Sequence, residues 1–547
     1  MRFFAWLRGR LLLVALVVGS CAAVMPLLMT RVLPFHDSAG IIGLGGALAL
    51  RNDPSAAVRT FYDLDIRAYP SALYFGWAYL AGALGISVEI AFGVFVALFC
   101  LVALPWAMWL LLRAFGRPPA LALLVFPVSY HHQIWYGFLG SSAAIAGLLL
   151  TLAFARRILD RPTLSNHAGL AAALLFVAAA HPFPLALTLA VAAPLLIWPP
   201  APADRRRAAL SIAARLATLL PTAIFLGNWA AGFFGRPTGH RSLLTTVRTS
   251  IELSTPALGD AGQYLDWLGN GYQSAWDEVV PAIALCTLAV LLVRGICPRP
   301  PRARDQAPAA PAPGRLSPGA RRDWIVLGWA VAVLLAGFAF LPMKLVWPEL
   351  WWGVRVRCVL PSYLLLIMLV RPRPRGLRPW SVVPAFAVAL VFFAGLTWDF
   401  SHHFRGRALA GFDRAVEAIP PGQSVMAFPV RPDPHYTLAH PYLVQHYVAR
   451  KGGRAVPHLR GHPGSYWITM KPPPDSPPWG DPRLFDWQLH AHWDYFLIEQ
   501  PLDGPPVEPM RAAPPGAVRR VVAAGQFELW QNLVPEADRP ISPPADH

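Results

Sequence analysis

Residues 11–38 read LLLVALVVGSCAAVMPLLMTRVLPFHDS, and this stretch decides the class of fold. Up to Leu33 its only charge is Arg31, near the end of the run. A hydrocarbon core about 30 Å thick is crossed by about 20 apolar residues in a helix, so the segment is long enough to span. Its start resembles a secretory signal, and Val18-Gly19-Ser20-Cys21 resembles a lipoprotein cleavage box. The apolar run continues past Cys21 to Leu33, which argues for a retained span over a cleaved leader. Directly after it, Pro34-Phe35-His36-Asp37-Ser38 places an imidazole and a carboxylate at the membrane surface.

The same ruler applied along the chain gives about eleven spans, near 11–33, 89–112, 119–136, 138–155, 166–181, 183–198, 209–231, 278–296, 323–343, 356–370 and 380–398. Arginines collect in every second connection: Arg8 and Arg10, Arg113 and Arg117, Arg156 and Arg157, Arg205 to Arg207, Arg299 to Arg322, and Arg371 to Arg378. Positive loops stay in the cytoplasm, which fixes the N-terminus inside and everything after Phe400 outside. The composition agrees: of 547 residues 55% are hydrophobic and only 14% charged, the profile of a membrane protein. The net charge of +17 does not point to nucleic acid, because the basic residues sit in short clusters between apolar runs and form no single patch. The five cysteines lie in or beside apolar segments and imply no disulfide framework.

The expected fold is therefore mainly α: a polytopic transmembrane helical bundle over residues 1–399, in a bacterial-type inner (plasma) membrane, with a C-terminal extracytoplasmic α/β domain over 400–534. Outward loops cover 34–88 and 232–277, a Pro-, Ala- and Arg-rich cytoplasmic linker covers 298–322, and a proline-rich tail over 535–547 is expected to be disordered. In the terminal domain the patterns predict helices at 408–419 and 441–450, the second stopping at Gly452-Gly453. Strands are predicted at 425–430, 495–499, 520–524 and 527–531. No internal repeat is visible, which weakens a transporter built from inverted halves.

Chemistry has to come from the outward segments. Asp37, Asp63 and Asp65 lie at or just outside the membrane surface, with Arg67 and Tyr69 beyond. A carboxylate at that depth is partly desolvated and can take a proton from a sugar or lipid hydroxyl. Against this stand plainer readings: Asp37 as the cap of the following helix, and Asp63 and Asp65 as solvated loop residues. A second group surrounds Lys344, one of three lysines, in the loop leading to Arg355 and Arg357. The planar fork of arginine matches phosphate oxygens, although interfacial arginines that snorkel beside a tryptophan belt read the same way. Histidines at 131–132, 181, 402–403, 490 and 492 match no defined metal spacing, so no cofactor is implied and a divalent metal is unsupported. P-loop, HExxH and GxSxG signatures are absent. The spans carry almost no mid-membrane charge, which counts against ion-coupled transport.

The order of these pieces resembles the GT-C superfamily of membrane glycosyltransferases. In that family an acidic residue after the first span is the catalytic base, and Asp37 stands in that place, preceded by His36 where a paired acid is common. The loop continues through a Pro-x-x-x-Tyr-like stretch similar to Tyr69 to Trp77, and the turn Ser129 to Gly137 is similar to the family's short polar connection. The resemblance implies a polyprenyl-phosphate-linked sugar as donor and membrane lipids as surroundings. Asp37, with His36, would activate the acceptor, while Lys344, Arg355, Arg357, Asp63, Asp65 and Tyr69 would bind substrate. Exposed aromatics such as Trp467, Trp479 and Trp493 would present the acceptor. The alternatives are a non-catalytic membrane protein of envelope polysaccharide or lipid assembly, and a lipid transporter.

Overall fold

The computed structural model describes residues 2–65, 71–199, 204–234, 261–269, 275–296, 318–345, 351–371, 381–429, 442–457, 467–471, 475–501 and 504–539. Most of the linker at 298–322, most of the loop at 232–277 and all but the start of the tail therefore lie outside the described residues.

Apolar helices dominate. They are α1 (Arg2–Leu28), α2 (Ser38–Ala49), α3 (Ala72–Ala83), α4 (Val88–Ala114, with a π-helical stretch at Val96–Val102), α5 (Leu139–Asp160), α6 (Leu164–Ala180) and α7 (Pro182–Ile197). The series continues with α8 (Arg205–Ala217), α9 (Leu220–Phe234), α10 (Ala261–Gly269), α11 (Ala275–Ile296), α12 (Pro318–Phe340), α13 (Val359–Met368) and α14 (Val383–Asp399). Among the described residues, five helices are long and apolar enough to cross a membrane: Gly9–Leu28, Val88–Ala114, Leu139–Asp160, Gly319–Phe340 and Val383–Ala408. The pair α8 and α9, bent by 44°, would make a sixth.

Eleven spans are thus not found at this length. The expected span at 119–136 is a ten-residue 3₁₀ helix, Pro119–Val128, and α13 is also ten residues long. Residues 121–128 are all buried in protein, as is α2 from Ser38 to Leu48. Hydropathy registers an apolar neighbour, and a packed helix supplies one as well as lipid does.

The C-terminal sheet has strand order β5-β4-β7-β9-β8, built from β4 (Ser424–Phe428), β5 (Arg454–Val456), β7 (Tyr495–Glu499), β8 (Val518–Ala524) and β9 (Phe527–Asn532). The strands β4, β5 and β7 run parallel, and β9 and β8 close the edge antiparallel. Every residue of β4 and β7 is buried, as expected of parallel strands covered on both faces. Period-two alternation sorts their side chains. Val425, Ala427, Tyr495 and Leu497 join the core of the helical bundle. Met426, Phe428, Phe496 and Ile498 form a second core with Phe485, Trp487 and Trp493.

Two further features lock this sheet region onto the first loop. Strand β1 (Tyr62–Leu64) pairs antiparallel with β6 (Ile468–Met470), Tyr62 opposite Met470. Helix α15 (Gln445–Lys451) lies against α2 so closely that a Cβ on Gly46 would sit 2.2 Å from the Ala449 Cα. Only glycine permits that approach. The predicted helix at 408–419 is instead a π-helical stretch, Phe400–Ala408, and a six-residue helix, Phe412–Glu417, separated by Gly411 at φ +88°.

Candidate functional site

Asp37 ends the turn that leaves α1 and stands at the N-cap of α2, yet its side chain makes no capping bond. Its carboxylate instead takes the His36 ring, Nδ1 to Oδ1 at 2.7 Å, and both side chains keep about a fifth of their surface in solvent (21% and 22%). A carboxylate capped by its own helix would be committed to backbone amides; this one is held by an imidazole and remains accessible.

The turn is fixed by the 129–138 loop. The His36 amide donates to the Trp135 carbonyl at 2.9 Å and the Asp37 amide to the Tyr136 carbonyl at 3.2 Å. Gly137, at φ +76°, brings the loop so near that a Cβ there would lie 2.7 Å from the amide nitrogens of Asp37 and Ser38. A side chain at this position would be strained in backbone and in contact.

The arginines pack against the same loop. Arg355 and Arg357 sit on a 3₁₀ turn, Arg355–Cys358, that leads into α13, and both are buried. Arg357 stacks over Phe138 with its Cζ 4.8 Å from the ring centre, and over Phe183 at 5.9 Å; Arg355 stacks over Trp267 at 5.8 Å. Gln133 donates to the Val356 carbonyl at 3.5 Å, tying loop to turn. These arginines are enclosed and stacked, so the snorkelling reading, which keeps the head group in water, does not describe them. Stacking engages the faces of a guanidinium, whereas phosphate is held at its edge, so both contacts are compatible. A cavity beside Arg357, lined also by Gln133, Ser141 and Pro361, measures about 10 Å³, room for about one water. Seating a phosphate there requires these side chains to part.

Aromatic rings connect the two sides. Tyr136 lies 5.7 Å from the His36 ring and 5.8 Å from Phe138, centre to centre. In the other direction Tyr442 meets His36 edge-on at 5.3 Å and Trp479 at 6.2 Å. Trp479 is 60% exposed and adopts φ +58°, a left-handed conformation that is rare for a bulky residue and tends to mark functional sites.

The remaining expected residues are spread more widely. Asp63 is exposed on β1 opposite Thr469, and the Asp65 amide donates to Trp467; both lie where the first loop joins the C-terminal sheet region. Lys344 opens β2 (Lys344–Leu345), which pairs with β3 (Trp351–Trp352). Tyr69 lies outside the described residues. Trp493 is wholly buried in the second core, and Trp467 is half-buried. Among the described residues no three of His, Cys, Asp and Glu gather as metal ligands would.

Sequence reading missed Tyr442 and a buried ionic cluster. Glu89, at the start of α4, is 1% exposed and binds His446 Nδ1 at 2.6 Å, Arg450 Nε at 2.9 Å and Arg31 at 3.6 Å. Arg450 also reaches Asp413 at 2.7 Å. Glu89 reads in sequence as an interfacial residue at a span end; two of its partners, His446 and Arg450, lie more than 350 positions away, and no local signal announces them.

No protein-family model matches the sequence, and no curated protein matches it. Among solved structures, the chain is similar to arabinofuranosyltransferase AftD from Mycobacteria, with 16% identity and TM-score 0.45 over 96% of this chain and 40% of that one. It is also similar to ArnT from Cupriavidus metallidurans bound to undecaprenyl phosphate, with 12% identity and TM-score 0.48 over 95% of this chain and 98% of that one. The chain thus spans about two fifths of the AftD structure's length.

Proposed function

We propose that this protein is a membrane glycosyltransferase of GT-C type, which moves a sugar from a polyprenyl-phosphate carrier to an envelope acceptor on the outer face of the membrane. The observation that carries the reading is that Asp37 and Arg357 both pack on one loop, 129–138: the Asp37 amide bonds the Tyr136 carbonyl, and Arg357 lies over Phe138, two residues further on. Asp37, oriented by the His36 hydrogen bond, accepts the proton of an acceptor hydroxyl. The hydroxyl oxygen forms a bond to the anomeric carbon as the bond from that carbon to the phosphate oxygen breaks, with inversion. The departing lipid phosphate takes up negative charge, and Arg357 with Arg355 stabilises it. Exposed Trp479, linked to His36 through Tyr442, offers a flat face to an acceptor sugar ring. In this reading the N-terminus is cytoplasmic, and residues 400–534 form an outer domain to which β1 and α2 of the first loop are bound.

Replacing Asp37 with Asn keeps the shape and removes the base. Mass spectrometry of lipid-linked sugars and envelope glycans should show donor accumulating and glycosylated acceptor depleted, a rate loss of about 10²–10⁴, at unchanged protein level. Wild-type glycans in that variant, with a clear defect on deleting the whole protein, would leave a binding role in its place.

A further inference from the structure

A groove of about 770 Å³ opens where the end of α1 meets the start of α4 and the 405–414 segment. That volume is in the range of small-molecule sites. One wall is apolar and open to the surroundings: Leu28, Ile90, Val94 and Leu98 all line it and are all exposed. The rim is cationic, with Arg31, Arg405 and Arg414. Of the two acids at the rim, Glu89 pairs with Arg31 at 3.6 Å, which leaves Arg405 and Arg414 to carry the rim's positive charge. Glu89 is also met by His446 and Arg450, and Asp413 by Arg450.

The apolar wall belongs to the two helices Gly9–Leu28 and Val88–Ala114 that are able to cross the membrane, and the rim lies at their adjoining ends. Apolar side chains facing outward below a ring of arginines match an amphiphile whose charged end is anionic. A polyprenyl phosphate carries the same chemistry. However, none of His36, Asp37, Arg355 and Arg357 lines the groove, so an occupant here is not presented to the groups proposed to react.

We propose that this groove seats an anionic glycerophospholipid of the surrounding bilayer, with its phosphate at Arg405 and Arg414 and an acyl chain along Ile90, Val94 and Leu98. The site is independent of the catalytic reading, since it shares no side chain with it.

The test uses the purified full-length protein in micelles, with native mass spectrometry of retained phosphatidylglycerol, phosphatidylcholine and undecaprenyl phosphate. Phosphatidylglycerol should be retained over phosphatidylcholine. The double variant R405Q/R414Q should weaken its retention roughly twenty-five-fold, at about five-fold per arginine. A second variant, Val94→Trp, fills the apolar wall without changing charge and should lower retention as well, which keeps the test decisive if the arginine variant unfolds. The proposal fails if phosphatidylcholine is held equally, if Val94→Trp and R405Q/R414Q both bind as the wild type does, or if undecaprenyl phosphate displaces phosphatidylglycerol from the groove. Asp37→Asn should retain phosphatidylglycerol unchanged, so failure of this site and failure of the catalytic reading are separately visible.

Discussion

Truncating Glu89 to Ala should loosen the attachment of the C-terminal sheet region to the bundle, by an amount that the geometry bounds. The carboxylate is 1% exposed and accepts from His446, which is fully enclosed, and from Arg450, which is 12% exposed. Breaking a buried ion pair by removing one partner costs about 3–5 kcal/mol, chiefly because the other charge stays desolvated. Here Arg450 keeps Asp413 at 2.7 Å. The low end, about 3 kcal/mol, is therefore expected. Adding Arg450→Met removes a charge left with only the solvent-exposed Asp413 as partner and should recover about 1–2 kcal/mol, so the double variant E89A/R450M should be more stable than E89A alone. Denaturant unfolding of the lipid-free protein in micelles, followed by tryptophan fluorescence and by protease cleavage after residue 400, measures both steps. Unchanged stability in Glu89→Ala, or additive losses in the double variant, would refute the claim that this cluster fastens the two parts.

Gly137→Ala should abolish sugar transfer while leaving the protein folded. The new methyl meets the Asp37 and Ser38 amides at 2.7 Å on a backbone at φ +76°, and unchanged glycan synthesis would contradict it. Arg357→Lys keeps the charge but loses the planar stack on Phe138 and the fork; transfer should fall by about ten-fold or more, read as donor turnover in membranes. For pH, burial holds the His492 ring well below its usual 6.5, to about 4, with Arg454 and His490 also opposing its charge and the Asp475 carbonyl favouring it. The folded state then binds fewer protons than the unfolded one between these values. Stability contributed by neutral His492 is complete above 6.5 and lost as pH falls towards 4. A His492→Gln variant should show a flatter unfolding midpoint across that window.

The membrane class of the chain was legible from Leu11 to Leu33 alone, and four of the five strands of the C-terminal sheet from their short apolar runs: the strand read at 495–499 is β7, and the helix read before Gly452 is α15. The span count was not legible, because Pro119–Val128 and α13, both read as spans, are ten-residue helices buried largely in protein. At the candidate site, Asp37 could be picked by position, but that its carboxylate makes no capping bond and meets His36 instead could not. Tyr442, Tyr136 and the Glu89 cluster could not be read from sequence. Their meaning lies in contacts such as His446 to Glu89, across 357 positions, and no periodicity extends that far.

The pairing of Tyr62 with Met470 also sets a timetable for biogenesis. Strand β1 leaves the ribosome roughly 400 residues before its partner β6, an interval of about 20–80 s at ordinary synthesis rates. During that time the first loop, with α2 and the Asp37 turn, waits without the helix and strand that cover it. Membrane insertion of the bundle and the covering of its first loop are therefore separate events. A chain that stalls or is cut before residue 470 should insert normally yet present an open, protease-sensitive first loop.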